Sequence, residues 1–331
     1  MSRGKYAKYT ACLIYHKRER NLRRFIGQLL RAALGPEHSR NDPAKAVLLA
    51  DRFADRLKNA TAHCASPIYS SSAPVFIFSA GWRSGSTLLQ RMLMQHNEHL
   101  VIWGEPFFQS NVLETLMTQM RGFTEYWPRD SYFLSKRQQQ NLSDQSVSNL
   151  YPDVDALFAA HLKFLIELLE APAIKAGYSQ WGAKEVRWGS DQALYLKQFF
   201  PNAKFIYLYR NPLDAYASFY KICTGWFVHW PKGFIATPYA FGKQWAKLTQ
   251  DFIGNHSKTG GVLVRYEDLD SEPHVAALSE YLGWSIPRSS QLRRLFSDHV
   301  ERKVIEPTVL PTVDTLLLKA ACGPLMKRAG Y

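Results

Sequence analysis

Val75-Phe76-Ile77-Phe78-Ser79-Ala80-Gly81-Trp82-Arg83-Ser84-Gly85-Ser86-Thr87-Leu88-Leu89 is the most informative stretch of this chain. Its first four residues are a short, continuous apolar run of β-prone side chains, the pattern of a strand buried on both faces. Its last residues, with Met92 and Leu93, open a helix. A strand, a glycine loop and a helix in that order aim backbone N–H groups and the positive helix end at one spot, where an anion is stabilised. Gly81 and Gly85 permit the tight turn and the close approach of phosphate oxygens. Ser84, Ser86 and Thr87 add hydroxyl donors, and Arg83 adds a full positive charge. The ATP/GTP loop reads G-x-x-x-x-G-K-[ST]; here the glycines stand one residue closer and Ser86 takes the place of the lysine. A Ser/Gly-rich turn between strand and helix also occurs in α/β folds that bind nothing, so the loop alone does not settle a function.

Outward from this stretch the same alternation repeats. Leu100 to Trp103 reads as a strand ending at Gly104-Glu105-Pro106, 182–186 as another, Phe205 to Tyr209 as the clearest, and 262–266 as one more. Helices are expected at 109–121 and 154–170, after Arg210-Asn211-Pro212, and around Val275, Leu278 and Leu282, with a polar loop at 138–148. Strands alternating with helices predict an α/β fold, a central parallel sheet covered on both faces. Such sheets take their ligands at the carboxyl ends of the strands. The glycine loop and Arg210 can therefore line one site, with Ser218, eight residues on and two helical turns in, sharing a phosphate with Arg210.

The 331 residues are 46% hydrophobic and 21% charged, which excludes a disordered chain, and 41 Lys+Arg against 28 Asp+Glu give +13. That balance favours an anionic partner without choosing among nucleic acid, phospholipid, nucleotide phosphate and acidic glycan. Nine Lys/Arg and one Glu in residues 1–31 carry +8 of the total. Leu22, Phe25, Ile26, Leu29, Leu30 and Ala33 recur there at helical spacing, which suits a helix packed on its own domain better than one lying on an anionic membrane. A second helix starts at Asn41-Asp42-Pro43, with Ala46, Leu49, Ala50, Phe53 and Leu57 on its apolar face. The Ser/Pro-rich 66–74 reads as a linker, which makes 1–73 a basic helical extension ahead of the main domain at 74–331. No apolar run approaches the ~18 residues of a membrane span, and no secretory leader is visible. Cys12, Cys64, Cys223 and Cys322 are widely spaced, a usage that fits a reducing cytoplasm and neither a zinc site nor a disulfide scaffold.

The loop Gly81-Trp82-Arg83-Ser84-Gly85-Ser86-Thr87-Leu88-Leu89 resembles the 5′-phosphosulfate loop of sulfotransferases that use 3′-phosphoadenosine-5′-phosphosulfate (PAPS). Its Trp-Arg-Ser-Gly-Ser wording is similar to that of carbohydrate sulfotransferases, and its Arg-Ser-Gly-Ser core to that of tyrosylprotein and bacterial ones. Arg210 and Ser218 resemble the family's 3′-phosphate site. The likeness continues through Gly182-Ala183-Lys184, Val264-Arg265-Tyr266-Glu267-Asp268-Leu269, Leu282-Gly283 and Cys322-Gly323-Pro324-Leu325-Met326 with Gly330-Tyr331. It covers roughly 75–331, leaving aside 1–73 and an insert at about 123–153. It implies a P-loop nucleotide-kinase-like, three-layer α/β/α fold. It also implies PAPS as donor, PAP (3′-phosphoadenosine-5′-phosphate) as product, and no required metal.

Sulfuryl transfer needs donors at the departing phosphate oxygen and a base at the acceptor hydroxyl. Glu105, just after the second strand, is the best base, and the resemblance places a Glu there; His96, His99 and Glu185 are rivals. The resemblance gives Lys184 the bridging oxygen or the sulfonate. Arg83 has a catalytic as well as a binding role, and Arg83, Ser84, Gly85, Ser86, Thr87, Arg210, Ser218 and Tyr266 make up the donor site. Tyr266 reads equally as a buried tyrosine with a satisfied hydroxyl. Trp226, Phe227, His229, Trp230 and Phe234, and Tyr126, Trp127, Tyr132 and Phe133 as a lid, are candidates for the acceptor side, for which a carbohydrate is the favoured class. Three other readings stand beside this one. A P-loop nucleotide-dependent kinase would need the missing loop lysine and a metal-holding Asp. A basic anion-binding module for nucleic acid or membrane has only the charge of 1–31 behind it, with no nucleic-acid motif. A relative that binds PAP without turnover is the third.

Overall fold

A computed structural model describes residues 53–105, 112–134, 147–222, 229–230, 233–235, 237–296 and 309–331. These all belong to one compact unit, Val47–Tyr331. The basic segment 1–31, the helix start at 41–43 and most of the polar loop 138–148 lie outside the described residues.

The strands are β1 (Val75–Ser79), β2 (Leu100–Gly104), β3 (Gln180–Glu185), β4 (Lys204–Tyr209), a separate antiparallel pair β5 (His229–Trp230) and β6 (Gly233–Phe234), and β7 (Val262–Arg265). The described helices, with some 3-10 turns between, are α1 (53–61), α2 (Ser86–Gln95), α3 (Val112–Met120), α4 (Val154–Leu165), α5 (Ala171–Lys175), α6 (Ser190–Phe199), α7 (Pro212–Ile222), α8 (Pro238–Asn255), α9 (Glu272–Leu282), α10 (Ser289–Phe296) and α11 (Thr312–Arg328). One five-stranded sheet runs β2-β3-β1-β4-β7, parallel throughout. This is the α/β architecture that the alternating pattern predicts.

All five residues of β1 are buried, because it lies mid-sheet with apolar layers on both sides. Phe76 and Phe78 join one core with Ala183, Phe205 and Tyr207, while Val75 and Ile77 join the other with Leu89, Met92 and Leu93 of α2. Phe53, Leu57 and Ala60 of α1 pack into the first of these cores, although they fall in the stretch expected to be an extension. Gly182 is required where β3 crosses β1, since a Cβ there would lie 2.1 Å from the Val75 carbonyl oxygen. After β1 the chain crosses to β2 on one side, and β4 then flanks β1 on the other. The crevice at the carboxyl end of β1 is therefore the switch point at which open sheets place their ligands.

A polar trio, buried at His161 and Tyr195 and reaching the surface at Gln119, ties the helices beneath one sheet face. His161 of α4 contacts Gln119 Oε1 through Nε2 at 2.8 Å and the Tyr195 hydroxyl through Nδ1 at 2.8 Å. The neutral ring donates its Nε2–H to Gln119 and accepts from Tyr195, and burial pushes its pKa down to about 4. The unfolded chain, with a histidine pKa of about 6.5, binds this proton more readily. The stability His161 contributes is thus full above about pH 6.5 and is lost as the pH falls toward 4. Burial together with the Asp251 charge raises Asp191 to about 6, with the opposite sign, so the whole-protein profile mixes the two. The His161 contribution is isolated by comparison with His161→Gln in urea. The wild-type advantage is expected to shrink by about 2 kcal/mol from pH 7 to pH 5, and a difference independent of pH would contradict it.

Candidate active site

The loop after β1 is held open toward the carboxyl edge by its own residues. Gly81 (φ 85°), Arg83 (φ 65°) and Gly85 (φ 91°) all adopt the left-handed conformation. The Ser84 hydroxyl turns inward and donates to the Ala80 and Gly81 carbonyls at 3.1 and 3.0 Å. Ser84 was expected to present its hydroxyl to a ligand; in the structure that hydroxyl hydrogen closes the loop. Ser86 is buried and Thr87 exposed at the start of α2. Gly85 caps α2 with no side-chain hydrogen bond, and the first turn holds no acid. Among the described residues no side chain caps the first N–H groups of α2, and no acid of its own first turn offsets its positive end.

Two consecutive loop residues dock on α7. Trp82 stacks on Phe219, with centroids 6.1 Å apart and planes at 9°, and the next residue, Arg83, donates from Nε to Ser218 Oγ at 3.0 Å. Burying a ring the size of Phe219 contributes about 1.5–3 kcal/mol, so this packing fixes where the Arg83 guanidinium sits. Arg210, at the end of β4, donates from Nη1 to the Arg83 carbonyl at 3.2 Å. Its guanidinium lies 4.2 Å from the centre of the Tyr266 ring. A Cβ on Gly85 would lie 2.1 Å from that same ring, so Tyr266 fills the space a side chain at 85 would need. Arg83, Arg210, Ser218, Gly85 and Tyr266, taken from four separate segments, thus meet at one place.

The electrostatics of this cluster are one-sided. Burial and the neighbouring Arg210 charge hold the Arg83 pKa below its ordinary value, with only Tyr266 opposing. Arg210 Nε is buried and has no hydrogen-bond partner among the described residues. Two close cations, an orphaned buried donor and an uncapped helix start fit a bound anion.

Across the sheet, Glu105 follows β2 and Lys184 lies in β3, in register with Gly104 and Ile77. The Glu105 amide donates to the Lys184 carbonyl at 2.7 Å, and Lys184 Nζ contacts Glu105 Oε1 at 2.6 Å. Their side chains are 21% and 6% exposed respectively, so the carboxylate keeps the greater access to solvent. By strand alternation Lys184 shares the face of Val75 and Ile77, over which α2 packs. Glu105 has φ 52°, and it and Arg83 are the only two non-glycine residues with positive φ among those described. Such backbone costs of order 1–3 kcal/mol each, and it occurs here at two of the residues singled out for chemistry.

The rival bases are placed elsewhere. His96 caps the far end of α2 and His99 precedes β2; both are exposed, one helix length away from the glycine loop. Glu185 is fully buried on the opposite sheet face, paired with Arg187 and accepting from the Val186 amide. Of the acceptor candidates, Phe133 is buried in the core, whereas Tyr126 and Trp127 are 79% and 49% exposed. The side chains of Trp226, Phe227, His229, Trp230 and Phe234 lie outside the described residues. Sequence reading missed the supports of Arg210: Trp245 Nε1 donates to its carbonyl at 2.9 Å, and Glu267 Oε1 accepts from the Asn211 amide at 3.0 Å. Their only signal was the presence of Glu267 in the segment that carries Tyr266.

Two clustered cations and an orphaned buried donor stand at a parallel-sheet switch point, with a carboxylate and an ammonium at the neighbouring strand ends, in a protein of the α/β class. The chain belongs to the sulfotransferase family, whose sequence model matches residues 74–288. Solved structures similar in fold include the sulfotransferase domain from the curacin biosynthetic pathway, at 19% identity and TM-score 0.39 over 66% of this chain and 76% of that one. The sulfotransferase domain of the Synechococcus PCC 7002 olefin synthase matches at 18% and 0.38 over 78% and 96%. Sulfotransferase STF9 from Mycobacterium avium matches at 11% and 0.38 over 84% of each chain. No curated protein matches. Membership rests on the sequence match. No described helix is long and apolar enough to cross a membrane.

Proposed function

We propose that the chain moves a sulfuryl group from PAPS to an acceptor hydroxyl, with a carbohydrate as the acceptor. The observation that carries the donor is the convergence of Arg83, Arg210 and Ser218 around an orphaned buried guanidinium nitrogen. Arg210 and Ser218 hold the 3′-phosphate, and Arg83 lies between them and the 5′ side. The Gly85–Thr87 amides at the start of α2 hold the 5′-phosphosulfate. Tyr266 closes the pocket wall against Gly85.

Glu105 accepts the proton of the acceptor hydroxyl as its oxygen attacks sulfur in line. Lys184, held 2.6 Å from that carboxylate, is close enough to serve the departing phosphate oxygen as negative charge builds on it. The carbohydrate acceptor is supported by the Trp82-Arg83-Ser84-Gly85-Ser86 wording of the loop. The described residues contain no cluster of metal-ligating side chains, and the proposed step draws on Glu105 as base and on the chain's own cations and amides. The chain works in the cytoplasm; residues 1–31 suit packing on their own domain, and with +8 they are also the segment able to make a peripheral contact with anionic membrane.

The reading is tested by thermal unfolding with PAP, and separately with ATP and GTP, each with and without magnesium. A ligand at about 100 times its Kd stabilises by about 2.7 kcal/mol. PAP is expected to raise the transition without magnesium. A shift only with magnesium and ATP or GTP would replace this reading with the kinase one.

A further inference from the structure

We infer that Tyr331 is a positioning residue for Arg210, acting through Glu267 and the main chain at Asn211. The inference rests on the reading of Arg210 as the 3′-phosphate contact.

Arg210 is gripped by its backbone from two sides. The Trp245 indole N–H donates to its carbonyl at 2.9 Å, and the following amide, Asn211 N–H, donates to Glu267 Oε1 at 3.0 Å. Asn211 also starts α7, its Oδ1 accepting from the Leu213 amide at 3.0 Å. Tyr331 touches both grips. Its hydroxyl donates to Glu267 Oε2 at 2.7 Å, and its ring lies 6.4 Å from that of Trp245. The ring also meets Tyr209, the residue before Arg210, edge-on at 6.2 Å and 87°. Glu267 is exposed, so a free carboxylate here would rotate among rotamers. Held by Tyr331 on one oxygen, it presents the other to Asn211.

The approach of Tyr331 is itself built. Gly330 has φ 86°, and its carbonyl accepts from Arg265 Nη1 at 3.1 Å. The left-handed turn favours glycine, and a Cβ at 330 would lie 2.8 Å from that same nitrogen and push the Arg265 head aside. Arg265 is locked by Asp268, with both contacts at 2.8 Å, and the Tyr331 amide donates back to Met326 at 2.9 Å. The turn after α11 thus delivers a hydroxyl to the carboxylate that accepts from the Asn211 amide at the start of α7.

The test is calorimetric binding of PAP and of 5′-AMP, which lacks the 3′-phosphate, to wild type, Tyr331→Phe, Glu267→Ala and the double variant. Phe keeps the ring packing and removes only the hydroxyl. Tyr331→Phe is expected to weaken PAP by about three- to tenfold while leaving 5′-AMP affinity and the unfolding midpoint unchanged. The double variant is expected to be no worse than Glu267→Ala alone, because one path is being cut twice. An unchanged PAP to 5′-AMP ratio in Tyr331→Phe, or equal weakening of both ligands, would overturn the inference. A wild type that does not prefer PAP over 5′-AMP would overturn the reading of Arg210 beneath it.

Discussion

Glu105→Gln is expected to lower sulfuryl transfer by about 10²–10⁴-fold, the usual worth of a positioned general base, while PAP binds as before. The substitution keeps side-chain length and the hydrogen bond to Lys184, and removes the capacity to take a proton. Its effect therefore belongs in kcat rather than in donor affinity. Two structural facts direct the prediction to Glu105. It is held at φ 52° with its carboxylate 2.6 Å from Lys184, and it keeps more solvent access than its partner. Glu185, one residue beyond that lysine, is fully buried on the other face and paired with Arg187. A near-normal rate in single-turnover assays with PAPS and an accepted substrate would remove Glu105 from the reaction.

Arg210→Ala is expected to weaken PAP binding by roughly 10- to 100-fold, the loss of a charge-assisted contact worth about 1.5–3 kcal/mol. Arg83→Ala is expected to fall in the same range. The two are coupled, since Arg210 Nη1 holds the Arg83 carbonyl and Arg83 Nε holds Ser218. The double variant is therefore expected to lose less than the sum of the singles. Both cations stand close together and half-buried, and among the described residues no carboxylate acts on Arg83, so removing either also relieves repulsion in the free protein. A rise in unfolding midpoint alongside the loss of affinity is the expected signature. Unchanged PAP affinity in both single variants, measured by calorimetry, would contradict the donor site.

What was legible in the sequence was what local chemistry dictates. A strand buried on both faces must be apolar throughout, so β1 and β4 stood out, and the Gly81 to Thr87 loop and Arg210 came with them. The base candidate followed from the short run before Glu105. Less legible were features set by long-range packing. The strand order β2-β3-β1-β4-β7 leaves no local trace. β3 was expected at 182–186 and instead runs Gln180–Glu185, because a polar residue and a close-packed glycine occupy its first half. Helices α6, α8 and α11 were not anticipated. In α11 the Gly323-Pro324 pair reads as a breaker, yet the helix continues to Arg328 with Pro324 inside it.

Within the site, residue types were readable and orientations were not. Ser84 carries a hydroxyl in a phosphate-type loop, and only the folded loop shows that hydroxyl turned onto the Ala80 and Gly81 carbonyls. Tyr266 read as either pocket wall or core; it lies between Gly85 and Arg210, and its ring is why position 85 has no side chain. Tyr331 stood in a family-like segment without a role, because its contact with Glu267 spans most of the last third of the fold.

The central claim is that Arg83, Arg210 and Ser218 form a site for a 3′-phosphorylated adenine nucleotide. Titration calorimetry of the full chain with PAP and with 5′-AMP, both in excess EDTA, tests it most directly. The account predicts one PAP per chain, bound at least about tenfold more tightly than 5′-AMP, as expected for one charge-assisted phosphate contact. Equal affinities for the two nucleotides, or no binding of PAP without a divalent cation, would contradict it.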